Sequence, residues 1–235
     1  MKNTEQGILI SRLSYSESSY IIKVFTENFG LRSFLFQGAK KKRGLVFYPF
    51  SHIEFSYYLR QESTLCKMTD YALISSPNAL CFNPVIATII FFKTKILSKA
   101  LHEDVPDKGL FAFLIDEIAH LELELLLANY PIYWMIDLSK HLGFIPNVVD
   151  QEPLFFDLEN GELTSIQPIN FSYKSGVEVK LLASILTLSR SELLLLKMDK
   201  QMRANLTHLL ILYFSFHIPN FDIQDTMDVI NAIWE

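Results

Sequence analysis

The stretch SSYIIKVFTENFGLRSFLFQG, residues 18–38, decides the fold. Two runs rich in β-branched and aromatic residues flank a short polar break, TENFG, that ends on Gly30. Runs of this kind bounded by turn residues read as paired strands. In the first run Ile21, Lys23 and Phe25 fall on one face, while Tyr20, Ile22, Val24 and Thr26 fall on the other. Working outward, GILISRLS at 7–14 precedes the pair, and SHIEFSYYLR at 51–60 and TLCKMTDYALI at 64–74 follow it. The other breaks, SYSE, KKKRG and RQES, are equally short and polar. Five short strands in about 75 residues suit a small closed barrel better than a sandwich. An OB-fold is the most economical form of such a barrel, with an SH3-like barrel as the alternative.

The pattern changes at SSPNALCFNP, residues 75–84, where Asn83-Pro84 offers an N-cap followed by proline at the first helical position. Apolar residues then recur at helical spacing. In 84–102 the stripe is Ile86, Ile89, Ile90, Ile96, Leu97 and Leu101, interrupted by Lys93. Further helices are expected at 110–128, 132–144, 177–188, 191–197, 204–218 and 223–233. Residues 146–175 break this pattern with three prolines and an Asn160-Gly161 turn between extended pieces, which reads as a β-hairpin insert. The expected architecture is α+β, with a five-stranded OB-fold barrel at 1–78 and an α-helical bundle at 79–235 that carries the insert.

Of 235 residues, 21 are Lys or Arg and 26 are Asp or Glu, for a net charge of −5. That average hides an asymmetry. Residues 1–80 hold ten basic and six acidic side chains, so the first third is positive and the rest strongly negative. Such polarity between segments points to two surfaces with different partners. The two cysteines, Cys66 and Cys81, form neither a metal-ligand spacing nor a disulfide framework and read as reduced thiols. Mean hydropathy is +0.21, but the longest apolar run, at 84–92, stops at Lys93 and falls short of the ~20 residues that span a bilayer. No signal peptide is read at the N-terminus, and a cytoplasmic, nucleoid-associated protein with no membrane partner is expected.

The sharpest local feature is GAKKKRG at 38–44. Four consecutive cations on a barrel-rim loop can neutralise several phosphates, with the counterion release that makes such binding salt-dependent. The bland alternative is a solvated loop that serves solubility alone. The candidate phosphate-binding residues are Arg12, Arg32, Lys40, Lys41, Lys42 and Arg43, with Lys23, Arg60 and Lys67 added according to which way their strands face. Eight aromatic residues lie near the loop in sequence: Phe34, Phe36, Phe47, Tyr48, Phe50, Phe55, Tyr57 and Tyr58. Most must fill the barrel; Tyr48, Tyr57 and Tyr58 are the better surface candidates because a hydroxyl tolerates water, although for each of them a core role is the stronger reading. No phosphate loop, HExxH, GxSxG or GxGxxG occurs, and no catalytic residue, cofactor or metal is assigned. Asp116, Glu117, Glu122 and Glu124 read as an acidic helix face. His141 and His217 read as helix-end residues favoured by the helix dipole.

An ordered series of short motifs resembles the bacterial RecO family of recombination mediators and DNA repair proteins. It runs through Ser16-Glu17-Ser18-Ser19, Val24-Phe25-Thr26, Gly30, Gly38-Ala39-Lys40 and Pro49-Phe50. It continues with His141-Leu142-Gly143-Phe144, Tyr213 and His217-Ile218-Pro219. The resemblance implies an N-terminal OB-fold on a helical domain and a non-enzymatic protein that binds single- and double-stranded DNA. It also implies annealing of complementary strands and action with RecR and single-strand binding protein to help load RecA. A protein-interaction scaffold and an RNA-binding OB protein are the alternatives.

Two departures from the family pattern stand out. Many members carry a four-cysteine zinc site in the insert; no cysteine follows Cys81 here, so zinc is expected to be absent. Phe155, Phe156, Leu158 and Leu163 are expected to hold the insert by apolar packing instead. In some relatives basic residues near the mid-chain helix receive the acidic tail of single-strand binding protein. This sequence offers Lys140 and His141 there, beside Tyr133, Trp134 and Leu138.

Overall fold

The strand pair at 18–38 is present as β2 (Tyr20–Thr26) and β3 (Gly30–Phe36), antiparallel, with Tyr20 opposite Phe36 and Thr26 opposite Gly30. The computed structural model describes residues 2–41, 47–58, 65–77, 83–124 and 127–223, and for Lys41 and 120–124 the backbone only. Lys42, Arg43, Arg60, Cys81, the 78/79 boundary and nearly all of the helix expected at 223–233 therefore lie outside the described residues. So do the side chains of Glu122 and Glu124. Three more strands, β1 (Lys2–Ser14), β4 (His52–Tyr58) and β5 (Cys66–Ser75), complete a closed barrel in the order β1-β2-β3-β5-β4. The β3–β5 pair is parallel and the β1–β4 pair closes the ring antiparallel, an OB-like arrangement.

Alternation along the strands fills the barrel. Leu9, Ile22, Val24, Phe34, Phe36, Ile53, Phe55, Tyr57 and Met68 form its core. The rings of Phe55 and Tyr57 meet Phe34 edge-on at 4.8 and 5.4 Å. Tyr57, one of the three rings whose hydroxyl suits a surface, is 2% exposed because it shares the inward parity of Ile53 and Phe55 on β4. Parity overrides the tolerance of its hydroxyl for water.

By compactness the chain divides into Met1–Glu122 and Leu123–Glu235. Helices α1 (Pro84–Ala100) and α2 (Lys108–Glu124) belong with the barrel in the first unit. The Asn83 Oδ1 accepts the Val85 N–H at 3.0 Å, so the Asn-Pro start of α1 is capped as its sequence indicates. Lys93, the break in the apolar stripe, is fully buried and donates to Glu117 Oε2 of α2 at 2.8 Å. Its ammonium also stands 4.3 Å from the centre of the Phe50 ring. Glu117 therefore lies in the interior and not on the acidic face expected of α2. Phe50 itself has φ 59°, a left-handed backbone that costs a bulky residue about 1–3 kcal/mol, and its side chain has no exposure. The loop joining α1 to α2 runs against β3: the Leu31 N–H donates to the His102 carbonyl and the Asp104 N–H to the Leu31 carbonyl. Gly30 permits this approach, since a Cβ there would lie 2.2 Å from the Val105 carbonyl oxygen.

The second unit holds α3 (Tyr130–His141), α4 (Val177–Ile185), α5 (Arg190–Leu195) and α6 (Lys200–His217). Asn129 ties three of them. Its amide donates to the carbonyls of Leu193 and Leu196 and its oxygen accepts from Arg203 Nε. The insert contains the expected hairpin as β7 (Phe155–Asp157) and β8 (Glu162–Thr164), turning at Asn160-Gly161. Two flanking strands, β6 (Asn147–Val148) and β9 (Tyr173–Ser175), widen it to a four-stranded sheet ordered β6-β8-β7-β9. Phe156, Leu158 and Leu163 are buried, while Phe155 is half-buried and meets the Tyr173 ring edge-on. The Asp157 carboxylate gathers the N–H groups of Glu159 and Asn160 and the side-chain amides of Asn160 and Asn170.

His217 does more than complement a helix dipole. Its ring stacks on Phe144 at 4.9 Å and its Nε2 lies 3.0 Å from the Leu158 carbonyl, fixing the insert to α6. Beside it the Tyr213 hydroxyl donates to the Phe144 carbonyl at 2.6 Å and sits where a Cβ on Gly161 would clash.

Two tests follow from these contacts. Lys93→Ala strands the Glu117 carboxylate in the interior and should lower unfolding stability by about 3–5 kcal/mol, read from urea midpoints. Lys93→Met combined with Glu117→Leu should restore most of that loss. Burial depresses the His217 pKa below the ordinary imidazole range, against an opposing pull from its bond to Leu158. The unfolded chain then binds the proton more readily. The stability due to the neutral ring is complete above about pH 6.5 and is lost as pH falls through the folded-state value. Between pH 7.5 and 5, thermal midpoints should drop more steeply for the native protein than for His217→Gln.

Candidate nucleic-acid interface

The site is built at the barrel rim where β1 ends and β2 begins. A register shift between Leu9 and Ser11 leaves Ile10 as an extra residue in β1. Plain alternation from inward Leu9 would turn Arg12 outward. The bulge reverses this, and Arg12 pairs with Ile22, a core residue with no exposure. Tyr20, two residues from Ile22 on β2, shares that inner face and packs on the edge of the core. Phe47 plugs the barrel beneath it, with ring centres 5.7 Å from Tyr20, 6.1 Å from Phe36 and 5.0 Å from Tyr71.

Two cations converge on this plug. The Arg12 guanidinium stands 5.1 Å from the Tyr20 ring centre and 6.0 Å from that of Phe47. The Lys40 ammonium stands 5.0 Å from the same Tyr20 ring and donates to the Ser16 carbonyl at 2.6 Å. Lys40 is delivered by a 3₁₀ turn, Ala39–Lys41, that follows Gly38 at φ 70°. Its backbone N–H donates to the Ser18 carbonyl, which locks the turn to the β1–β2 loop. Among the described residues neither Arg12 nor Lys40 is in an ion pair. Two like charges held over one ring concentrate positive potential in one place, and an anion bridging them relieves their repulsion. The ring quadrupole offsets part of the cost of holding them there.

The other strand cations stand in a different setting. Lys23 pairs with Glu103 at 3.7 Å, and Arg32 pairs with Asp104 while lying over the Phe29 ring. Both carboxylates come from the α1–α2 loop, and with Asp104 lying 72 residues from Arg32 nothing near Arg32 in sequence signals its pairing. Lys67 is exposed on β5 opposite exposed Tyr58, and Tyr48 is half-buried. Lys41 has a described backbone in the 3₁₀ turn.

On α3 the expected partner-binding group divides between core and surface. Trp134 and Leu138 have no exposure, because with Tyr130 they form the i, i+4, i+8 stripe that the helix buries. Tyr133 is half-buried beneath the Arg190 guanidinium and donates its hydroxyl proton to Asp137. Lys140 and His141 are exposed in the last turn. Among the described residues no three His, Cys, Asp or Glu side chains converge as metal ligands. No described helix is long and apolar enough to cross a membrane.

The residue that sequence reasoning missed is Tyr20. A survey of aromatics near the KKKR run in sequence passes over it, since the barrel brings it to Lys40 from twenty positions away. Its signal was parity: a tyrosine with the inward phase of Ile22 and Val24, placed at the outer end of its strand.

Comparison with known proteins agrees with this architecture. The family described as recombination protein O N terminal matches residues 1–77, which span the five strands. Proteins named DNA repair protein RecO are similar along the whole chain. That of Bacteroides fragilis is 27% identical, covering 97% of this chain and 98% of its own. That of Phocaeicola vulgatus is 26% identical over 97% of each. That of Flavobacterium psychrophilum is 23% identical over the full length of both. Residues 1–77 thus match the N-terminal domain of recombination protein O, and the chain is similar from end to end to proteins named DNA repair protein RecO.

Proposed function

We propose that the barrel binds DNA through its phosphates at the rim formed by Arg12, Tyr20 and Lys40, with Lys41, Lys42 and Arg43, the next residues in sequence, as further phosphate contacts. The observation that carries this reading is the convergence on one ring, at 5.1 and 5.0 Å, of two cations that have no carboxylate partner among the described residues. Arg32 contributes only where phosphate displaces Asp104 from it. Contacts of this kind are indifferent to base sequence. They suit a protein that engages both single- and double-stranded DNA and anneals complementary strands.

In this reading the protein is a mediator without a catalytic step. It acts with RecR to help RecA replace single-strand binding protein on DNA. The acidic remainder of the chain confines DNA to the basic rim and leaves other surfaces to protein partners. On α3, Lys140 and His141 are the groups able to meet the acidic tail of single-strand binding protein.

Salt titration of binding tests the phosphate role. Each phosphate contact removed should flatten the slope of log affinity against log salt by about 0.7 on single strands. Arg12→Ala and Lys40→Ala should each do so and weaken binding to all sequences alike. Replacing Lys40 through Arg43 together should flatten it further. Unchanged slopes in all three variants would overturn the assignment of this rim.

A further inference from the structure

Tyr15 is 60% exposed, a large ring in water on the loop between β1 and β2. That loop is tied on itself: the N–H groups of Tyr15 and Ser16 both donate to the Ser19 carbonyl, and the Ser18 N–H donates to Ser16 Oγ. It is also pinned to the phosphate-binding turn, since Lys40 donates its backbone N–H to the Ser18 carbonyl and its ammonium to the Ser16 carbonyl. Among the described residues the Tyr15 ring makes no aromatic contact and its hydroxyl no hydrogen bond. A ring held out on a braced loop, one residue from the carbonyl that holds Lys40, loses little freedom on meeting a flat partner.

We infer that Tyr15 is a stacking platform for one unpaired base of the strand whose phosphates Arg12 and Lys40 hold. This rests on the proposed phosphate role of the rim and names the form of DNA it prefers. An exposed base offers a free face to such a ring. A paired base inside a duplex is already stacked on both sides. Tyr15 therefore adds affinity for single strands and none for duplex, while the cations serve both. The contact is blind to sequence because every base has such a face.

The test uses the full chain and three probes of equal length: oligothymidylate, an abasic oligonucleotide with the same phosphates, and a duplex. Binding is followed by fluorescence anisotropy over a salt series. Tyr15→Ala should weaken oligothymidylate binding about tenfold at every salt concentration, in line with the loss of one stacked base, without changing the slope. Its binding to the abasic strand and to the duplex should match that of the native protein. Tyr15→Phe, which keeps the ring, should bind oligothymidylate as the native protein does. Equal binding of oligothymidylate by Tyr15→Ala and the native protein would overturn the inference, as would an equal loss on all three probes. If Arg12→Ala and Lys40→Ala flatten the salt slope while Tyr15→Ala changes nothing, the phosphate reading stands and the stacking role falls. If neither cation matters, the phosphate reading falls, whatever Tyr15 does.

Discussion

The ammonium of Lys93 is the point on which the first compact unit turns. It is taken wholly out of water and held between the Glu117 carboxylate and the face of Phe50. One charged group thereby fixes α1 to α2 and both helices to the 47–51 corner of the barrel. A buried pair of this kind adds little net stability over apolar residues of equal size, because desolvation offsets most of the attraction. Its effect is on geometry. A hydrocarbon contact tolerates sliding, whereas a 2.8 Å charged hydrogen bond does not. The left-handed backbone at Phe50 fits this view. The residue accepts an unfavourable φ so that its ring can lie across the ammonium, and its N–H bonds Leu9 at 2.7 Å while the Leu9 N–H bonds Ser51.

Leu9 is also where β1 departs from regular alternation, so the corner set by Phe50 lies directly before the bulge that aims Arg12. The rim inherits its order from this framework. Tyr20 rests on Phe47, Phe47 rests on Phe36 and Tyr71, and the cations rest on Tyr20. A cationic rim assembled in this way is held in place by the barrel itself and does not depend on long side chains meeting by chance.

Much of this was legible in the sequence, for reasons that are local. Strand alternation, the Asn83-Pro84 start, the spacing of α3 to α6 and the Asn160-Gly161 turn each depend on residues within a few positions of one another. The errors share a different cause. Glu117 looked like surface because its partner lies 24 residues back on another helix. Trp134 and Leu138 fall beside Lys140 and His141 in sequence, whereas the buried stripe of α3 takes both into the core. Arg32 was grouped with Arg12 by charge alone, before the α1–α2 loop supplied Asp104. His217 does end α6, as its sequence indicates, and what the sequence leaves out is its partners, Phe144 and Leu158, which come from far along the chain. Local periodicity carries the elements. Contacts between elements carry the site.

The extra residue at Ile10 has a consequence for comparing this protein with its relatives. Whether the arginine two positions later looks into the barrel rim or away from it is fixed by a count, odd or even, and not by any residue's identity. An arginine aligned in the same column of a relative whose β1 lacks the bulge would face the opposite side. Conversely, an arginine one column away in such a strand could occupy the same place in space. Matching letters alone will therefore misassign this position, and strand parity has to be matched before the side chains are.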